Sequence, residues 1–161
     1  MPPSHIVADG HAPAAGRLAL TTLAAGIAAT IVWELFARLV APLWIGGPLE
    51  PAGLVQAAFG IESRLLAEFL HLATGVVAYP LGFLVVARPV ARAVTPFLPW
   101  WIVGIGFGAV LWAFGLYVMA HLVAGFPAFL GFAPIAWASL VGHVLYGTAV
   151  AAVFRLREVA A

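Results

Sequence analysis

Five side chains in this chain have the types and spacing for chemistry: Glu34, Glu68, His71, His121 and His143. All five lie inside or at the ends of long apolar segments. Glu68 and His71, within Ala67-Glu68-Phe69-Leu70-His71-Leu72-Ala73-Thr74-Gly75, are three apart and share one face of a helix. Ionisable groups in a membrane span are costly, so they turn to a protein interior or to water and mark function by default. Carboxylates and imidazoles converging from several helices make metal sites, and bundles build di-metal centres from Glu and Glu-x-x-His motifs on facing helices. Glu68-x-x-His71 has that spacing, with Glu34, His121 and His143 available to complete a set. The usual pattern has two such motifs and this chain has one. A second chemistry is b-type haem ligation, which needs two axial imidazoles at similar depth. His71 and His143 meet that condition, and Gly75 and Gly147, one turn on, would leave room for a flat macrocycle. The plainer alternative is an internal polar network that fixes helix register, each histidine hydrogen bond being worth about 1 kcal/mol or less.

The elements that must position these groups follow from composition. The chain has 161 residues, 65% hydrophobic and 8% charged, with a mean hydropathy of +1.11. Soluble domains are about 25% charged, so the solvent of this chain is lipid and the lipid bilayer its first partner. The net charge of +1 argues against nucleic-acid binding. Without cysteine there is no disulfide, thiolate metal site or covalently attached haem.

Residues 1–16, rich in Pro, Gly and Ala, read as a flexible tail that carries His5 and His11. The apolar run after Arg17 is too long for a secretory signal and lacks a clean cleavage site. Residues 17–157 form one membrane domain. Four apolar segments, about 18–43, 65–87, 100–124 and 134–154, each approach the roughly 20 residues of a membrane crossing. In lipid each must be a helix, because no water satisfies the backbone. The expected architecture is therefore an all-α bundle of four transmembrane helices.

Arg17, Arg88, Arg92, Arg155 and Arg157 fall on one side. The positive-inside rule makes that side cytoplasmic and puts both termini inside, with a bacterial inner membrane as the expected location. The other side carries Arg64 and Arg38 beside Glu50 and Glu62. On that side the Gly53–Ile61 stretch is apolar enough to lie at the interface, and the short loop 125–131 should dip into headgroups or pack on a partner. The inner connection from Arg88 to Pro99 reads as a proline-broken turn, with Trp100 and Trp101 as interfacial anchors.

The two halves echo each other. His71-Leu-Ala-Thr-Gly75 in the second span matches His143-Val-Leu-Tyr-Gly147 in the fourth, both His-x-x-x-Gly, and Trp33 aligns with Trp112. Two such hairpins would be parallel repeats about an axis along the membrane normal, with His71 and His143 facing each other across it. At about 1.5 Å per residue, Glu34, His71 and His143 lie roughly 10–14 Å from the outer ends, and Glu68 and His121 roughly 5–6 Å. Gly104-x-x-x-Gly108, Gly75, Gly82, Gly142 and Gly147 offer close helix contact within the bundle or, as the second option, dimerisation. Trp33 and Trp112 are expected in the core, each indole N–H needing an acceptor. Glu34 and Arg38, and Glu68 and His71, are spaced to neutralise each other.

Trp112, the Gly104–Gly108 pair and the two His-x-x-x-Gly motifs resemble a family of small four-helix bacterial membrane proteins of unknown function. That resemblance implies the fold over about 18–154 and brings no activity. The functional expectation is a non-enzymatic integral membrane protein, such as an accessory subunit of a larger membrane complex or a homo-oligomer, built round an outer-leaflet Glu/His cluster. The alternatives are a redox or metal-handling protein holding haem b or a transition metal through His71 and His143, and a small transporter. The last is weakened by an inner half without relay groups.

Overall fold

The computed structural model describes residues 12–159, so His5 and His11 lie outside the described residues. Helical backbone begins at Ala12, inside the stretch read as tail. Four helices are long and apolar enough to cross a membrane: α1 (Ala15–Ile45), α3 (Arg64–Val94), α4 (Trp100–Val123) and α5 (Pro134–Glu158). A short helix, α2 (Pro51–Phe59), sits in the connection between α1 and α3. No strand occurs among the described residues.

The α3 helix runs to Val94, seven residues past the expected end at Ala87, and carries Pro80 and Pro89 within it. A proline removes one backbone donor and clashes with the carbonyl four residues earlier. Each proline inside a long helix follows a π-helical turn that widens the backbone: Phe36–Val40 before Pro42, Thr74–Ala78 before Pro80, and Phe83–Ala87 before Pro89. The prolines are thereby accommodated without breaking the span. The widening also frees backbone for tertiary use. The Ala37 carbonyl accepts the Leu49 N–H at 3.1 Å. This bond folds the 46–50 connection back over the bundle and seats Leu49 in the core. Gly46, at φ +78°, makes the reversal that a side chain would strain. Ser63 then starts α3, its Oγ accepting the Leu66 N–H at 3.3 Å.

Lipid is as apolar as leucine, so the helices associate through close packing of small residues. Ala25, Ala29, Ala37, Ala41 and Ala138 are buried seams. The α5 helix packs on both α1 and α4, and α1 also packs on α3. Gly104, Gly108 and Gly147 bring α4 and α5 to backbone contact, a Cβ on Gly147 falling 2.6 Å from the Gly108 nitrogen. Gly142 receives the Trp33 indole, and Gly26 receives the Val76 carbonyl, the one four residues before Pro80. Gly82 faces open space and packs against nothing. The glycine pair Gly104/Gly108 thus serves the inside of the chain.

The α3 and α4 helices touch where Phe83 meets Phe107, ring centroids 5.2 Å apart, and Phe154 of α5 closes that end. At the other end they diverge, and α2 covers the gap against α3 and α4. The loop 125–131 also packs on its own chain. Phe129, Leu130, Gly131 and Phe132 adopt left-handed backbone, and Phe129 packs against Trp112 and stacks on Tyr117. Left-handed conformation costs roughly 1–2 kcal/mol per residue, and the aromatic cluster holds the loop in it.

Candidate functional site

The divergence of α3 from α4 leaves a cavity of about 470 Å³ under α2. Its walls are largely aliphatic and aromatic, with Trp33, Phe114, Leu116 and Met119 among them. Its polar groups include Thr30, His71, Thr74, Tyr79, Ser139, His143 and Tyr146, with Glu50 at the α2 edge. Pockets that are mainly apolar with a few convergent polar groups are the usual form of a small-molecule site.

Of the five candidate residues, His71 and His143 line this cavity. The indole of Trp33 touches both imidazoles, with centroids 6.3 Å from His71 and 4.6 Å from His143. The two His-x-x-x-Gly motifs meet directly: the Tyr146 hydroxyl of the second donates to the Gly75 carbonyl of the first.

The two imidazoles are held differently. His143 Nδ1 lies 2.8 Å from the Ser139 carbonyl, one turn back on its own helix. A carbonyl only accepts, so the proton sits on Nδ1 and Nε2 carries the lone pair. That nitrogen faces Gly115, where a Cβ would stand 3.8 Å away. Anchoring one ring nitrogen on a carbonyl so that the other is aimed and basic is how ligand histidines are oriented. His71 instead presents Nε2 to Glu34 Oε1 of α1 at 3.9 Å.

The remaining three candidates do not line the cavity, and Glu34 alone of them reaches a cavity histidine. Glu34 pairs with Arg38 at 2.7 Å, as the i, i+4 spacing implies. Glu68 does not pair with His71. It faces Arg38 at 3.8 Å and Arg64 at 3.7 Å, and Arg64 continues to Glu50 at 3.2 Å. The helix rotation that buries Ala67 carries Glu68 toward the arginines and His71 toward α1. His121 leaves the cluster altogether. Its Nδ1–H donates to the Phe126 carbonyl at 2.7 Å, closing the turn after α4. No three His, Asp or Glu side chains gather into a metal-holding group among the described residues. The space expected beside Gly75 and Gly147 is filled, by Thr30 in the first case and by α4 backbone in the second.

The ion-pair chain lies near the surface, its arginine side chains 60% exposed. Exposed pairs contribute little, so Arg38→Ala should change unfolding stability in detergent by less than about 1 kcal/mol. A loss several times larger would give the network a structural weight that its exposure does not imply.

Thr30, Ser139 and Tyr146 were not singled out by residue type, although Ser139 stands one turn before His143 and Tyr146 lies inside its motif. Thr30 Oγ1 and Trp33 Nε1 are buried without a hydrogen-bond partner, and both residues wall the cavity. The Trp112 indole N–H, by contrast, is satisfied, donating to the Ala136 carbonyl at 2.9 Å. The π-helical stretch without a proline, Phe114–Val123, supplies the α4 wall. Such distortions recur at functional sites.

No protein-family model, curated protein or solved structure matches this chain.

Proposed function

We propose that the protein is a non-enzymatic, multi-pass membrane protein that receives a small, uncharged, mostly apolar molecule in the cavity under α2. His143 Nε2 accepts a hydrogen bond from a hydroxyl or comparable donor on that molecule. The carrying observation is the imidazole of His143, anchored through Nδ1 on Ser139 and presenting a lone pair to an apolar cavity of about 470 Å³. Two buried polar atoms without partners beside the same cavity support the reading, because such groups cost free energy until something satisfies them. Part of the same proposal is the setting: a bacterial inner membrane, two hairpins related as parallel repeats, both termini cytoplasmic, the cavity in the outer leaflet, and membership of the small four-helix bacterial family. Arginine placement at the ends of the helices supports the orientation. A role as accessory subunit of a membrane complex would let a partner supply or take the ligand.

Gly115→Ala tests it. The added methyl meets nothing within 4 Å except His143 Nε2, and alanine favours a helix over glycine by up to about 1 kcal/mol. The variant should therefore be at least as stable as the parent while losing small molecules that co-purify with it, as read by solvent extraction and mass spectrometry. Retention of the same molecules would remove the cavity from the function.

A second reading, haem or a single transition metal held by His71 and His143, is favoured by the two imidazoles sharing one cavity and one indole. Metal analysis and an absorption spectrum decide it. A haem band or bound metal that disappears in His143→Ala supports it, and the absence of both bound metal and a band after haem supplementation removes it.

A further inference from the structure

The opposite end of the bundle is built for a different ligand. Among the described residues Arg17, Arg88, Arg92, Arg155 and Arg157 lie there, where α1 begins and α3 and α5 end, and Glu158 is the carboxylate that meets them. Glu158 draws three of the five: Arg88, Arg92 at 2.9 Å and Arg155 at 3.9 Å. Among the described residues, one negative charge against three guanidiniums leaves two positive charges uncompensated at a single point. Between the ends of α3 and α5 the three arginines line a second cavity, of about 500 Å³, together with Thr95, Trp100 and Phe154.

The parts of this cavity are graded in exposure. Arg88 is 22% exposed and its guanidinium lies over the Phe154 ring, 5.7 Å from the centroid. It is a fixed charge on an aromatic floor. Arg92 and Arg155 are 66% and 53% exposed and stand at the rim. A planar guanidinium binds a phosphate oxygen pair through two parallel N–H donors, which a point charge cannot do. The flanking chain is also apolar: Val94 and Phe97, next in sequence to the lining residues Thr95 and Pro96, are 69% and 78% exposed, and Trp100, which lines the cavity, and its neighbour Trp101 are half-exposed. Indoles at a helix end mark the headgroup level of a bilayer, so the charge lies at phosphate depth with hydrocarbon-binding surface alongside.

We infer that this cavity holds the phosphate of an anionic phospholipid, gripped by Arg92 and Arg155 above the fixed Arg88, with acyl chains along the exposed face of α3. Glu158 is the internal competitor: it occupies the guanidiniums when no lipid is bound and is displaced from Arg92 and Arg155 when one is. The exposed apolar flank favours a lipid over free phosphate, since an isolated anion has no use for it. This site is independent of the cavity under α2.

Native mass spectrometry of the full-length protein in detergent, with phosphatidylglycerol, phosphatidylcholine or inorganic phosphate added, tests the assignment. Thermal unfolding is followed in parallel. Phosphatidylglycerol should bind and raise the unfolding temperature of the parent protein, and the other two should not. Arg92→Ala with Arg155→Ala should weaken phosphatidylglycerol binding by roughly tenfold or more, on the usual contribution of a basic residue near an anionic headgroup. Glu158→Gln should strengthen it, a gain that a misfolded variant cannot mimic. Equal binding of the two lipids, parent-like binding by the arginine variant, or weakened binding by Glu158→Gln would overturn the proposal. Protection by inorganic phosphate equal to that by phosphatidylglycerol would overturn the lipid as its source.

Discussion

Gly147→Leu should lower the stability of the bundle by about 3 kcal/mol or more, the upper range for overpacking a tight contact. The reason is that Gly147 meets backbone. Its missing Cβ would fall against the Gly104 carbonyl and the Gly108 nitrogen and α-carbon. None of these can swing aside as a side chain can, so α4 and α5 must separate along their main contact. Gly82→Leu is the control. It changes the same residue type in a membrane-spanning helix, but at a position with nothing within 4 Å. It should be neutral or slightly stabilising, since glycine is a poor helix former. Unfolding of both variants in detergent, followed by tryptophan fluorescence, checks the pair. A small effect at Gly147 would mean that the helices cross at a different place.

The largest functional effect is expected from His143→Ala. The histidine makes its hydrogen bond to Ser139 of its own helix, so it does not tie α5 to another element through that bond. Its removal should cost little stability beyond its edge contact with Trp33, yet abolish retention of the proposed cavity ligand, because the aimed lone pair is gone. His71→Ala should behave in the opposite sense. Its Nε2 turns to Glu34 on α1, so its loss weakens a contact between helices, by about 1 kcal/mol or less, and affects ligand retention less. Extraction and mass spectrometry together with an unfolding curve separate the two outcomes. If His143→Ala destabilises the protein while the ligand stays, the imidazole is a packing element.

Much of this arrangement is written locally. The four spans follow from hydropathy, because transfer of each side chain to lipid depends on that residue and its near neighbours. So do the Glu34–Arg38 pair, one helical turn apart, and the accumulation of arginines at one end. The pairing of His71 with Trp33 and Glu34 was open, because a spacing of three names a face of α3 and leaves its neighbour undetermined. Glu68 shows the difference. The i, i+3 spacing links it to His71, and helix rotation sends it to Arg38 and Arg64. His121 is a candidate by residue type alone, and the direction of the chain after α4 takes it into a turn.

Residue types and their order along the chain therefore determined that four helices are long and apolar enough to cross a membrane, where they run, how charge divides between their ends, and that a His-x-x-x-Gly motif stands in the second and in the fourth. Each of these is additive along a helix and needs no knowledge of a partner. Tertiary structure alone decided that α3 and α4 part to leave a cavity, that Trp33 serves both imidazoles, and that Tyr146 joins one histidine motif to the other. These depend on the rotation of each helix about its axis. That rotation is set by glycine contacts and π-helical turns between residues far apart in the chain.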